Sequence, residues 1–177
     1  YDPANNILYA MGWDTSRQRS TVNLYSFNLN NPAIGWLKSP NFSITPPTVV
    51  DSFGINSLEY DLTSGSIVYG GYAYHTNNSS IVYGLAGELS ATNTTQNTYQ
   101  YIRLGVPGTG MGDSSNSIRS VVPINSKYLL AGGHSISNVN SPGGDIYLYL
   151  VNRSSQVIES VLIQNTSGLV LQDMEVN

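Results

Sequence analysis

The sequence predicts an all-β protein, and three observations support this fold class. No part of the 177-residue chain shows the apolar spacing of about 3.6 residues that marks an amphipathic helix. The 13 tyrosines, together with many valines and isoleucines, favour half-buried pleated sheet. An apolar run that ends in glycine, followed by an aromatic residue or histidine, occurs three times, at 7–13, 67–72 and 128–134. A repeat of about 60 residues is typical of strand arrays such as β-propellers.

Each repeat divides into short strands, because runs rich in Ile, Val and Tyr are separated by clusters of Gly, Asn, Ser and Thr. The second repeat predicts strands over 55–62, 66–72, 81–89 and 99–104. The third predicts strands over 118–124, 128–133, 145–151 and 157–163. The first predicts three, over 6–12, 22–29 and 35–39. Strands of this length and spacing predict antiparallel meanders, so each complete repeat is interpreted as a four-stranded blade.

The first repeat lacks an opening strand, and the C-terminal segment 171–177 has the pattern of one. Its sequence reads like the opening strand of the second repeat. The interval from Tyr1 to Gly12 equals that from Tyr60 to Gly71, so the tail followed by the head reproduces the second repeat in register. We therefore predict one propeller-like region over 1–177. Its blades would be 6–39 completed by 171–177, then 55–104, then 118–163.

Three blades are too few to close a ring, since propellers generally have about four to eight. Three completions fit the matching phase of tail and head. The chain is a piece of a larger propeller, which we prefer, or two copies join in one ring, or the tail adds a strand to the next subunit of a filament. A β-sandwich whose repeats are coincidental is the alternative fold.

Composition limits the partners. The chain has 7 Lys and Arg against 11 Asp and Glu, a formal net charge of −4, and its basic residues are scattered. Nucleic-acid binding needs clustered basic residues, so we expect no nucleic-acid partner. No apolar stretch reaches about 18 residues, so we expect no membrane span. The chain opens on neither Met nor a signal peptide, which favours a processed product or a piece of a longer chain.

Six Asn-x-Ser/Thr sequons lie in predicted loops or at strand ends, where a glycan would be tolerated. They begin at Asn41, Asn77, Asn78, Asn93, Asn152 and Asn165. These sequons favour an extracellular, N-glycosylated protein. The chain has no cysteine, so its stability must come from the sheet core or from assembly and not from disulfides.

The repeated phrase resembles the kelch repeats of kelch and galactose-oxidase-type β-propellers. The best copy is Leu130-Ala131-Gly132-Gly133 followed by Tyr147 or Tyr149. The next is Tyr69-Gly70-Gly71 followed by Tyr83, and the first is Met11-Gly12 with Tyr25 and Trp36. The first copy keeps the Trp and has lost one glycine. The resemblance covers nearly the whole chain and implies a propeller, but a galactose-oxidase-like copper centre needs a Cys linked to Tyr, and there is no Cys.

The candidate binding residues follow the glycines. Trp13, Tyr72 and His134 occupy equivalent repeat positions, which predicts one rim around the propeller axis. Together with their neighbours they form the predicted rim: Trp13, Asp14, Arg17, Tyr72, His75 and His134. Aromatic rings there suit stacking on sugars or gripping a peptide, and the alternative is that these are variable loop residues. Two histidines without clustered carboxylates fall short of a ligand set, so we expect no metal, no cofactor and no catalytic residues.

The leading hypothesis is a non-catalytic, N-glycosylated module that serves cell-surface structure, adhesion or binding. One alternative is a carbohydrate-binding or carbohydrate-active propeller domain. Another is a filament subunit joined by C-terminal strand addition. The expected partners are a protein or glycan at the cell surface, further blades of the same chain, or a second copy of it.

Overall fold

The computed structural model describes residues 1–14, 21–44, 50–75, 78–90, 100–104, 115–136, 146–153, 156–164 and 171–175. Within these ranges the protein is all-β, as the sequence predicts, with one short 3-10 turn at Pro32–Ile34. No helix in this described part has the length and apolar character needed to cross a membrane. Its strands are β1 (Ile7–Asp14), β2 (Thr21–Asn28), β3 (Trp36–Ile44), β4 (Val50–Asp61), β5 (Ser66–His75), β6 (Asn78–Ser90), β7 (Gln100–Leu104), β8 (Ser115–Pro123), β9 (Tyr128–Ile136), β10 (Ile146–Asn152) and β11 (Gln156–Gln164).

The strands form three antiparallel sheets. The first has the order β1-β2-β3, the second β4-β5-β6-β7 and the third β11-β10-β9-β8, so neighbours in space are also neighbours in the chain. Each strand predicted between residues 6 and 163 has a counterpart, and several run further. In particular, β5 and β9 continue through their glycine pairs to His75 and Ile136. The glycine pairs therefore lie inside strands, whereas the predicted strands end at them or one residue later.

The turn between β4 and β5 is closed by Asp61. Its Oδ1 accepts a hydrogen bond from the Thr63 N–H at 2.9 Å, and Gly65 takes a positive φ of 65°. Asp61 is paired with Ser66 on the other side of the turn. An aspartate that bonds the backbone two residues on is a common turn device, and glycine accepts the left-handed conformation without strain.

The same turn opens the first sheet. Asp2 Oδ1 accepts a hydrogen bond from the Ala4 N–H at 3.0 Å, and Asn6 takes a φ of 58°. Asp2 forms a bridge with Ile7, at the same interval as the pair across the β4–β5 turn. Tyr1 and Asp2 therefore stand where the last two residues of β4 stand in the second sheet.

The second and third sheets share the larger core. Val68 and Ala86 of the second sheet are buried against apolar side chains of the third, which are Ile118, Val121, Leu129, Ala131, Tyr147, Tyr149 and Val151. Close approach depends on Gly70, because a Cβ there would lie 2.6 Å from Val121 Cγ2 and 2.8 Å from Ile118 Cγ2. Burial of each Val or Ile side chain contributes about 1.5–3 kcal/mol, so this interface makes a large contribution to the stability.

The first sheet packs on the second through a smaller cluster. Its centre is formed by Leu24, Ile67, Tyr69, Leu85 and Leu89, against which Tyr9, Met11, Ile55, Leu58 and Tyr60 pack. The rings of Tyr9 and Tyr60 are stacked, with centroids 5.7 Å apart. The second sheet therefore lies between the other two, and its first strand, β4, contacts both β1 and β8.

The C-terminal tail is the segment predicted to complete the first sheet. Residues 171–175 have no strand conformation and lie against the third sheet. There the Met174 N–H donates to Ser120 Oγ at 3.2 Å, and the Ser120 hydroxyl donates to Asp173 Oδ1 at 2.8 Å. These described residues of the tail do not pair with β1 in this structure. Val176 and Asn177 lie outside the described residues, so completion of the first blade by 171–177 stays a prediction.

Candidate functional site

The first strands of the second and third sheets, β4 and β8, form a groove with the C-terminal tail along one side. We call it the β4–β8 groove, and its volume is about 430 Å³. β4 contributes Ser57, Leu58 and Glu59, β8 contributes 120–123, and the tail contributes 173–175. Three carboxylates and two serine hydroxyls thus line the groove. Chemically, such a wall offers hydrogen-bond acceptors to a polar segment of chain.

Charge repulsion acts across the β4–β8 groove. Burial raises the pKa of Glu59, and the negative charge of Asp173 raises it further. Asp173 behaves in the opposite way, because hydrogen bonds from the Ser120 hydroxyl and the Met174 N–H hold its pKa below the usual range. As pH falls, Glu59 is therefore protonated while Asp173 keeps its charge. Repulsion between the two carboxylates is therefore strongest when both are ionised.

The tail is seated on a glycine of β9. A Cβ on Gly132 would lie 2.5 Å from Leu171 Cδ2 and 2.5 Å from Met174 Sδ, so the two tail side chains fill the space that a residue larger than glycine would need. Gly132 holds the position in the third sheet that Gly70 holds in the second. Each of these glycines pairs with the residue that follows the bulge in the first strand of its own sheet.

The two glycines are covered in the same way. Ile118 and Val121 of β8 lie over Gly70, and they are separated by the same interval as Leu171 and Met174. The tail therefore occupies, on the third sheet, the place that the first strand of the third sheet occupies on the second. The sequence indicated that 171–177 resembles an opening strand. The structure adds that its described part, 171–175, lies against Gly132 and Ser120 of the third sheet.

The predicted rim residues are only partly described. They are Trp13, Asp14, Arg17, Tyr72, His75 and His134. Arg17 lies outside the described residues, and of the remaining five only Tyr72 has a described side chain. Tyr72 is half-buried, and its ring lies over Gly54 of β4, where a Cβ would overlap it. Tyr72 thus packs within the second sheet, and the assembly of the six into one binding rim stays a prediction.

The sequons fall in different settings. Asn41 lies in β3, Asn78 begins β6 and Asn152 ends β10, while Asn77, Asn93 and Asn165 lie outside the described residues. The Asn152 side chain is half-buried and already makes an interaction of its own. Attachment of a bulky glycan at Asn152 is therefore disfavoured in the folded protein.

Sequence reasoning missed a charged network that joins the second and third sheets. The guanidinium of Arg153, just after β10, forms an ion pair with Asp61 and a second with Glu88 Oε1 at 2.6 Å. The Ser64 hydroxyl donates to the same Asp61 carboxylate at 2.6 Å. The side chains of Arg153 and Asp61 are 10% and 5% exposed, so water screens this pair poorly. In the sequence Arg153 is merely the middle residue of a sequon, and no local pattern signals its partner.

The described ranges contain no group of three or more His, Asp or Glu side chains that could hold a metal ion. The chain matches no family model and none of the curated proteins. The resemblance to kelch repeats therefore stays a prediction that depends on the residues quoted for it.

Proposed function

We propose that this chain is a non-catalytic structural and adhesive module of an extracellular, N-glycosylated β-propeller. The observation that carries the proposal is the repeated glycine seat: β8 lies on Gly70 as the tail lies on Gly132. A contact that recurs from one sheet to the next supports an array in which every sheet packs on its neighbour through its first strand. Arrays of this kind present loops and strand edges to their partners.

The glycoprotein part of the proposal is supported by the sequons and by the way the fold is stabilised. A chain without cysteine relies here on the apolar interface between the second and third sheets and on the Arg153 network. The sequon at Asn78 begins β6 and so lies at a strand end, as the sequence predicts for a glycan site, whereas Asn41 lies within β3. Glycans on a weakly charged sheet protein increase its solubility and protect its loops.

Glycopeptide mapping of the protein isolated from the cells that make it tests this proposal. We expect glycans on sequons such as Asn78 and an unmodified Asn152, because Asn152 is half-buried and already engaged. The same preparation, fractionated, should place the protein at the cell surface. A protein without glycans and recovered from inside the cells would overturn the proposal.

The carbohydrate-binding alternative is favoured by one observation, the aromatic residues that follow equivalent glycines in β1 and β5. A glycan array probed with the native chain and with Trp13→Ala discriminates between the two. Binding that is present and is lost in Trp13→Ala would favour the alternative. Tyr72→Ala is a weaker probe, because its ring packs on Gly54 and its removal also disturbs the second sheet.

A further inference from the structure

β1 presents an unpaired strand edge. Among the described strands it pairs with β2 alone, apart from the bridge between Asp2 and Ile7. Its counterparts β5 and β9 have a strand on both sides. An unpaired edge leaves a row of N–H and C=O groups that another extended segment can bond.

The tail has the position of a first strand, but no described second strand pairs with it. It lies on Gly132 in the manner of a first strand, with Leu171 and Met174 replacing the Ile118 and Val121 of β8. β8 itself is paired with β9, the second strand of its sheet. No described strand pairs with the tail in that way, and apart from the Asp2 bridge no described strand other than β2 pairs with β1.

We propose that residues 171–177 of one copy add as an antiparallel strand to β1 of a second copy, which joins the two chains head to tail. The occupant is a second copy because the described residues of the chain's own tail are held on the third sheet, by Gly132 and Ser120, and do not pair with its own β1. The inference deepens the proposed structural role and rests on it. The joint itself uses only backbone pairing and the Gly132 seat.

The register of the joint follows from the residues already in place. Asp2 pairs with Ile7, so Tyr1 lies opposite Leu8. When Asn177 of the other copy is placed directly before Tyr1, the added strand continues opposite Tyr9 and Ala10. Val176 then falls opposite Ala10, as Leu58 falls opposite Tyr69 in the second sheet. The contact of Leu171 and Met174 with Gly132 instead predicts that Met174 lies opposite Ala10. The two registers differ by two residues, so the same side chains face the core in both.

Single cysteines test the joint, because the chain has none of its own. A chain carrying Ala10→Cys is mixed with a chain carrying Val176→Cys, and in a parallel sample with one carrying Met174→Cys, under mild oxidation. We expect a disulfide-linked species at the mass of two chains with one of these partners. Directly opposed residues of an antiparallel pair lie at about 4.5–5.5 Å, within the range that a disulfide spans.

Glu175→Cys is the matched control, since Glu175 faces the opposite side of the strand from Val176 and Met174. It should yield only background. Equal cross-linking of all three tail variants would show random collision and would overturn the proposal. The absence of a cross-link with any of them would overturn it as well. Melting curves matching that of the native chain confirm that each variant is folded.

Native mass spectrometry of the unmodified chain gives an independent readout. A mass of two chains is expected for a closed pair with two joints, and a ladder of masses is expected for an open filament; the cross-link identifies the joint as the contact responsible. A single-chain mass at every concentration would overturn it. The proposal would also be overturned if the double variant Ala10→Cys with Val176→Cys formed its disulfide within one chain and not between two chains. None of these results depends on glycans or location, so failure here leaves the proposed surface role to be decided by the glycopeptide map.

Discussion

The guanidinium of Arg153 forms an ion pair with the carboxylate of Asp61, and this pair joins the turn after β10 to the turn between β4 and β5. Asp61 also closes its own turn through the Thr63 N–H. One carboxylate therefore stabilises a hairpin and fixes that hairpin to the next sheet. The equivalent aspartate of the first sheet, Asp2, closes its turn in the same way and accepts a hydrogen bond from the Asn5 side chain at 2.8 Å.

Arg153→Met should lower the free energy of unfolding by about 3 kcal/mol, because it leaves the buried Asp61 carboxylate without its cation. Methionine keeps most of the aliphatic stem, so lost packing contributes little. Urea unfolding at neutral pH measures the change. Lys38→Met in β3 is the matched control: Lys38 is exposed, and its substitution should change stability by no more than about 0.5 kcal/mol. Similar losses in both variants would show that the Arg153 pair contributes no special stabilisation.

Acid should weaken the protein partly through Asp61. Burial acts to raise the pKa of Asp61, but hydrogen bonds from Ser64, from the Thr63 backbone and from Arg153 hold it below its ordinary value. A carboxyl with a lowered pKa in the folded state contributes stability above its unfolded pKa of about 3.9. That contribution is lost as pH falls through the folded value.

Comparison of the native chain with Asp61→Asn isolates this contribution. At neutral pH the variant should be less stable, and the gap between the two should narrow as pH falls below about 4. Glu59 is present in both proteins, and its raised pKa differs between them only by the part that the Asp61 charge causes, since burial and Asp173 act on it in both. Chemical unfolding at a series of pH values gives the two curves. Parallel curves would show that Asp61 does not titrate differently in the folded and unfolded states.

The strands were predictable from the sequence because their signal is local. Runs such as 66–72 are apolar, and their limits carry turn formers such as Gly65 and Asp61. The role of Gly70 was not predictable, since it depends on Val121, a residue far along the chain that needs the space a Cβ would fill. Gly70 and Gly132 read alike in sequence, yet one accommodates a core strand and the other the tail.

The candidate site was predictable to a lesser degree. The likeness of 171–177 to an opening strand is visible in the sequence, but its place beside Ser120 depends on contacts between distant segments. The Arg153 network is a similar case, because an arginine in a polar turn has no preferred partner until the sheets are packed. Tyr72 shows the converse, as an aromatic residue predicted for a rim is partly engaged in covering Gly54.

The two equivalent glycines should respond differently to the same substitution. Gly132→Leu places a side chain where Leu171 and Met174 lie, so the tail should detach while the sheets remain folded. Gly70→Leu forces apart the buried interface with Ile118 and Val121, and overpacking of a core lowers stability by about 1–3 kcal/mol or more. Hydrogen exchange over 171–177, read together with the melting temperature, separates the two effects. Gly132→Leu should speed exchange of the Met174 amide, which bonds Ser120 Oγ, and barely change the melting temperature. Gly70→Leu should lower the melting temperature by several degrees. If Gly132→Leu destabilises the whole protein as much as Gly70→Leu and leaves tail exchange unchanged, the tail is not held by this seat.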